Sequence, residues 1–519
     1  MRSFVLVAFI ALAHRAVAQT IQDIWSTTWD RSTLFTDVSP ATAIDFVTPG
    51  AIGDADIVVD DSTVYQTMAG FGATLTDGAA LTLSNMKTAN AANYWSLLGY
   101  MFDRKSLTAV LVYSMDDTSG DTSFADFNIN AAPSYLFDTI ADIQTINKIL
   151  KVHILPWSPP AWMKDPASMD GGSLDANYYT SYATYLLKCI QGFEGKSIPI
   201  YAISIQNEPE NSDTTYPSTS MPVAVEAQIG IALRALMNDN GYSSIHIFGF
   251  EHNWSDATAY PVQLMEQANG AFDSVSFHCY EGTVDEQGDF QALYPSIDIY
   301  HTECTGTLGS DWWSDIKWYM DNLMIGAPQY YAKSAAMWNL ALDGNGQPEL
   351  SGSDSCSGGG CRGVATCKSV NQEFYAMAQA SRAILPKDAG GPWGQRIGVS
   401  VGGGSDWALV VGAYKTERLS ATDWNRYSIV VLNWDDSSST TFNPVSVDAT
   451  IEFRGMQATY TFPVGVTTLW WYAESLSATV TGGSSGHYNS TSLTPWNTTL
   501  PSNVTGSASQ YRPRREAPL

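Results

Sequence analysis

Ala202-Ile203-Ser204-Ile205-Gln206-Asn207-Glu208-Pro209 is the stretch that decides the reading of this chain. Residues 202–205 form a short apolar run of strand character, a carboxylate follows, and proline fixes the direction in which the backbone leaves. Tyr300-His301-Thr302-Glu303-Cys304 repeats the arrangement, since residues 297–300 are strand-like and again run into a glutamate. Taken singly, Glu208 fits a helix start before proline, and Glu303 fits a surface glutamate beside a cysteine. Taken together they fit an enzyme barrel, whose reacting groups project from the C-terminal ends of parallel strands. Two carboxylates facing one cleft are what glycosidic-bond cleavage needs: one protonates the leaving oxygen, and the other attacks the sugar or activates water.

Outward from these two stretches, apolar runs recur at 68–72, 109–113, 152–155, 202–205, 245–250, 275–277, 297–300 and 335–338. Helix-compatible segments such as 178–190 and 223–237 lie between them. Short buried strands alternating with helices predict a parallel sheet, and eight such units predict a closed (β/α)8 TIM barrel, an α/β fold. A doubly wound open sheet is the competing architecture, but no Gly-x-Gly-x-x-Gly turn follows an early strand. Beyond Pro386 the pattern turns to β-formers at 407–414, 427–434, 450–454 and 460–462, separated by Gly, Asp and Ser turns. That predicts an appended antiparallel β-sandwich. The expected division is a signal peptide at 1–18, N-terminal strands at 19–61 that join the sandwich, a barrel at 62–386, the sandwich at 387–481, and a disordered Ser/Thr-rich tail at 482–519.

Of the 519 residues 45% are hydrophobic, so a large core is available, while 17 Trp and 26 Tyr provide flat faces with polar tips that suit sugar rings. Most such aromatics are nevertheless core. A net charge of −26 excludes nucleic acid and anionic membrane as main partners and fits a neutral or cationic substrate. Arg2, the apolar run 4–13 and Ala16-Val17-Ala18 form a secretory signal, so the protein is expected outside the cell, and no later run is long enough to cross a bilayer. Six cysteines suit that compartment, with 15 possible connectivities, of which a Cys279–Cys304 bridge is the first expectation because both lie at strand ends. A zinc site at Cys356, Cys361 and Cys367 is disfavoured by its Gly-rich spacing without a paired histidine. Glycosylation sequons stand at Asn253, Asn489, Asn497 and Asn503.

Several stretches share an order with a known family. They are Gly70-Phe71-Gly72-Ala73-Thr74-Leu75-Thr76-Asp77, Pro156-Trp157-Ser158-Pro159-Pro160-Ala161-Trp162-Met163-Lys164, Ser204 through Pro209, Glu251-His252-Asn253-Trp254, Phe277-His278-Cys279-Tyr280, the Glu303 segment, and Met337-Trp338-Asn339-Leu340-Ala341-Leu342. The chain resembles glycoside hydrolase family 30, which holds fungal endo-β-1,6-glucanases and glucosylceramidases. The resemblance implies a retaining mechanism with Glu208 as acid/base and Glu303 as nucleophile. It also implies a sugar pocket lined by Asp77, Trp157, Asn207, His278, Tyr280 and Trp338, with no metal or organic cofactor. An acid needs a raised pKa, which a desolvated cleft and a second carboxylate would give Glu208.

One departure from the family pattern stands out. Its second barrel strand carries an arginine beneath the nucleophile, whereas this chain has Leu111 within Val110-Leu111-Val112-Tyr113-Ser114-Met115-Asp116-Asp117. Loss of that cation is expected to raise the pKa of Glu303. The expected function is secreted, retaining cleavage of β-glucosidic bonds, foremost in β-1,6-glucan. Glucosylceramide hydrolysis is the second enzyme reading, with the Trp312-Trp313 pair as an apolar lip for lipid, or alternatively as core. A carbohydrate-binding pseudoenzyme is the third.

Overall fold

The computed structural model describes residues 19–475 except 103–107, 112–113, 269, 349–359 and 439–440. The signal sequence, the tail with Asn489, Asn497 and Asn503, Cys356, and the side chain of Leu111 lie outside the described residues.

Two long strands, β1 (Thr20–Thr28) and β2 (Ala55–Thr67), precede the barrel. Eight strands then form it: β3 (Gly70–Leu75), β4 (Thr108–Leu111), β5 (Val152–Pro156), β6 (Ile200–Ser204), β7 (His246–Asn253), β8 (Ser274–His278), β9 (Asp298–Glu303) and β10 (Ala332–Met337). They follow one another in parallel, and β10 closes the ring onto β3 through the register Ser334 to Gly70. Every residue of β3, β5 and β8 is buried. Strands covered on both faces read as unbroken apolar runs, so the sequence pattern located all eight. Helices cover the outside, among them α1 (Asp77–Ala89) and α2 (Val223–Asp239). The Thr76 side chain caps α1 by accepting the Ala79 N–H at 3.0 Å. The short helix α3 (Trp312–Trp318) follows β9, and α4 (Gln372–Ile384) follows the barrel.

Beyond α4 the chain builds β11 (Gln395–Gly403), β12 (Leu409–Thr416), β13 (Asn425–Asn433), β14 (Val447–Phe453), β15 (Met456–Phe462) and β16 (Gly465–Ala473). The resulting sheet runs β1-β16-β13-β12-β11-β2-β14-β15, with the short strands Thr36–Asp37 and Ile44–Asp45 beside β1. Pairing is antiparallel with one exception, β2 beside β14, where Ala55 pairs with Ala449 in parallel. The sheet folds over its own core. Phe453 on β14 and Trp471 on β16 are not on neighbouring strands, yet their rings are 5.2 Å apart. Helix α4 joins this sheet to the barrel and is buried along nearly its whole length. Ser428 Oγ donates to the Ala383 carbonyl at 2.7 Å, and Thr468 Oγ1 donates to the Gln379 carbonyl at 2.9 Å.

Candidate active site

The catalytic and sugar-binding residues expected from the sequence fall on one rim of the barrel, the C-terminal ends of its strands. Asp77 follows β3, Trp157 follows β5, Asn207 and Glu208 follow β6, His278 ends β8, Glu303 ends β9 and Trp338 follows β10. The turn after β6 is conformationally unusual. Glu208 has φ 44°, and Phe250 and Glu251 on β7 have φ 75° and 50°. Non-glycine residues rarely occupy this region, and they persist there only where surrounding contacts enforce it. One such contact is the Glu208 N–H, which donates to the Glu251 carbonyl at 3.0 Å.

The two carboxylates converge on one imidazole. His278 is fully buried, and its Nδ1 lies 3.1 Å from Glu208 Oε1 and 4.0 Å from Glu303 Oε1. The two oxygens can therefore be no further apart than the sum of these distances. Asn211 Nδ2 donates to Glu208 Oε2 at 3.1 Å, and the Tyr280 hydroxyl donates to Glu303 Oε1 at 2.8 Å. Glu303 Oε2 is buried with no hydrogen-bond partner in the protein.

Burial and charge act unequally on the pair. Burial raises Glu303, and the Glu208 charge adds to this, so that His278 and Tyr280 leave it pushed up to about 7. Burial also works to raise Glu208, but the His278 hydrogen bond and charge, with His252 and Asn211, outweigh it and hold the carboxyl below its usual value. Glu303 is raised by burial and by Glu208, while the Leu111 side chain, from which a raised value was expected, lies outside the described residues. The raised Glu208 expected from the sequence is corrected: the proton of the pair favours Glu303, because the imidazole stands closer to Glu208. His278 itself is pushed up to about 10, because Glu303, Glu208 and Glu251 together overcome the cost of burying its charge.

The sequence matches the glycosyl hydrolase family 30 TIM-barrel domain over residues 68–355. The chain belongs to that family. An endo-1,6-beta-D-glucanase of Neurospora crassa is 29% identical to it over 373 residues, covering 64% of this chain and 74% of the relative. An endo-1,6-beta-D-glucanase of Trichoderma harzianum is 30% identical over 361 residues, with coverages of 62% and 71%. Among solved structures, the endo-beta1,6-glucanase BT3312 superposes with a TM-score of 0.73 at 24% identity, covering 87% of this chain and 99% of that one. SrfJ from Salmonella typhimurium superposes with a TM-score of 0.74 at 19% identity, covering 88% and 100%. At these identities the two structures establish the fold. Membership makes this family 30 protein a glycosidase.

The remaining sequence-predicted residues of this family 30 barrel surround the pair to different degrees. Trp157 and Trp338 are buried and stacked on each other, with ring centroids 5.0 Å apart and planes at 18°. Tyr216 meets Trp157 edge-on at 5.7 Å and accepts a 2.6 Å hydrogen bond from Asn211 Nδ2, which links the tryptophans to Glu208. Asn207 is tied by its N–H to the Pro156 carbonyl at 2.9 Å. Asp77 opens α1, behind Thr76, whose hydroxyl donates to Asn339 Oδ1 at 2.7 Å.

Sequence reasoning missed four members of the family 30 site. Asn211 and Tyr216 lie in the loop after Glu208, and His252 Nδ1 is a buried atom without a hydrogen-bond partner. Glu208, His252 and His278 each bring one ligand-type atom within 4.8 Å of the others, but His278 is already engaged with Glu208. The fourth is Glu251, fully buried beneath His278. Its motif was recognised, but its role was not: a charge inside a strand-forming run was the available signal.

Other expectations resolve as follows. Cys279 and Cys304 form a disulfide. Cys361 is disulfide-bonded, so it is no zinc ligand, while Cys189 and Cys367 are free. Asn253 is buried, and its Oδ1 accepts the Tyr280 N–H at 3.1 Å, which leaves no room for a glycan there. Trp312 and Trp313 are also buried and form no exposed lip. They line a cavity of about 540 Å³ with Trp29, Phe442 and Asp436, and no residue of the catalytic cluster takes part in it.

Proposed function

We propose that this family 30 protein is an extracellular retaining β-glucanase that cleaves β-1,6-linked glucan by double displacement. The observation that carries this is the convergence of Glu208 and Glu303, from strands β6 and β9, on His278 Nδ1 at 3.1 and 4.0 Å. In the first half-reaction Glu208 protonates the glycosidic oxygen while a Glu303 oxygen attacks the anomeric carbon, and the leaving sugar departs as the glycosyl ester forms. In the second half-reaction Glu208 removes a proton from water, which attacks the same carbon and releases Glu303. The Tyr280 hydroxyl steadies Glu303. Because the proton of the pair favours Glu303, substrate must draw it to Glu208. A glycosidic oxygen accepting from protonated Glu208 does so, since a hydrogen bond to the neutral form favours that form.

Sugar recognition falls to the surrounding rim. Asn207 Oδ1, Trp157 Nε1 and Trp338 Nε1 are buried polar atoms without protein partners, a costly state that substrate hydroxyls relieve. The linkage is supported by the two relatives named as endo-1,6-beta-D-glucanases. No helix among the described residues is long and apolar enough to cross a membrane, and the 1–18 signal is the ground for the extracellular assignment. The test is reducing-sugar release from linear β-1,6-glucan by the mature protein, with Glu303→Gln alongside. Release that vanishes in the variant is expected. Equal release by both proteins, or none from a folded wild type, refutes the proposal.

A further inference from the structure

A third carboxylate lies under the catalytic pair, and neither half-reaction uses it. Glu251 Oε1 accepts from Ser204 Oγ and stands 3.4 Å from His153 Nε2, while Oε2 accepts from Thr302 Oγ1 and stands 3.4 Å from His278 Nε2. Its anchors are thus on β6 and β9, the two strands that carry Glu208 and Glu303, and Thr302 is the residue next to Glu303. His278 therefore has a carboxylate on each side of its ring: Glu251 at Nε2, and Glu208 with Glu303 at Nδ1. A neutral imidazole has one N–H and one lone pair, so it would turn a lone pair towards an anion on one side. Only the doubly protonated ring presents positive charge to both, and towards Glu251 it does so as a charge contact, since Nε2 is buried without a hydrogen-bond partner. Among the described residues, no lysine or arginine forms an ion pair with Glu208, Glu251 or Glu303.

We infer that Glu251 is a positioning residue that keeps His278 as an imidazolium, making this ring the fixed cation of the active site. The groups facing His278 are Glu208 beyond β6, Glu251 and His252 on β7, Tyr280 beyond β8, and His301 and Glu303 on β9; His153 on β5 reaches it through Glu251. The inference rests on Glu208 and Glu303 being the reacting pair, and it assigns the cation to one half-reaction above the other. Glu208 must be protonated to expel the leaving group, where a nearby cation is no help. It must be anionic to activate water, where the cation favours the required form. Glu251 therefore supports release of the glycosyl intermediate.

The test has two readouts on the full mature protein. With only 7 histidines in the chain, nitrogen-15 NMR of histidine-labelled protein can resolve the ring of His278, assigned by its loss in His278→Asn. Both nitrogens should be protonated in the wild type at pH 7, and in Glu251→Gln the ring should lose a proton at lower pH than in the wild type. A neutral His278 in the wild type overturns the inference, and so does an unchanged ring in the variant. If Glu251→Gln does not fold, Glu251→Asp, which draws the charge back by one methylene, takes its place, and a ring that titrates as in the wild type again overturns the inference. The second readout is kinetic, on an aryl β-glucoside whose good leaving group makes intermediate release rate-limiting. Glu251→Gln should lower kcat about 10-fold, the worth of one lost buried charge contact, with KM falling in parallel and the acid limb of kcat moving to higher pH. A fall in kcat with KM and the acid limb unchanged marks a merely structural role and overturns it. The spectrum does not depend on activity, so a charged His278 in a protein inert towards glucans would sink the proposed function and leave the imidazolium standing.

Discussion

The Tyr280 hydroxyl makes one bond at the site, to Glu303, and that bond opposes the upward push of burial on the carboxylate. Tyr280→Phe should therefore lower kcat/KM on β-1,6-glucan about 10- to 100-fold without unfolding the protein. It should also carry the pKa of Glu303 further upward, so the alkaline limb of the pH profile moves to higher pH. An unchanged limb would show that the hydroxyl does not act on Glu303. In the wild type the pair shares one proton in its working state, and its upper titration is that of Glu303 at about 7. As pH rises through that value the pair loses its last proton and no acid remains, so kcat/KM should fall above about pH 7. Activity that stays level to pH 9 would contradict this assignment.

At the scale of the element, the turn that aims Glu251 inward is held from behind by α2. Glu226 Oε1 accepts the Phe250 N–H at 3.0 Å, and burial, the largest influence, pushes this carboxyl up to about 7. A folded pKa above the unfolded one means the stabilisation is complete below the unfolded value and is lost as pH rises through 7. Glu226→Gln keeps an acceptor for Phe250 and cannot ionise. It should melt with the wild type at pH 4 and exceed it at pH 8 by about 3 kcal/mol. Equal melting at both pH values would refute this. The Cys279–Cys304 disulfide ties the ends of β8 and β9 across a sequence separation of 25. Replacing both cysteines by alanine should cost about 3 kcal/mol in a denaturant titration and disturb His278 and Glu303, the residues beside them. These elements also mark how far the sequence could be read. Glu208 and Glu303 were legible because each comes at or just beyond the end of a largely buried strand, and position alone placed them on the rim. Glu251 was not, because its direction depends on the positive φ at Phe250 and Glu251, which no residue type announces. The lowered Glu208 was also out of reach, since it depends on which carboxylate the ring of His278 approaches more closely.

In the whole molecule, the barrel was legible and the sheet beside it only partly so. Consecutive parallel strands lie next to one another, so eight located runs nearly dictate the barrel order. The sheet instead pairs Ile21 with Trp471 and sets β2 parallel to β14, unions between chain regions that local pattern does not link. Strand β1 is also fastened to α4, because the side chains of Thr27 and Gln379 hydrogen-bond at 3.0 Å. Deleting residues 19–28 should therefore lower the melting temperature of the barrel along with that of the sheet. A truncated protein that melts with the wild type would show that the two parts are energetically separate. The same topology sets a schedule for biosynthesis. β1 is made before the barrel and its partner β16 after it, so at about 5–20 residues per second they wait tens of seconds for each other. Throughout that interval β1 offers an open hydrogen-bonding edge to whatever else is nearby. A nascent chain halted before Gly465 would carry every catalytic side chain, yet its earliest strand would still lack the partner that seals it.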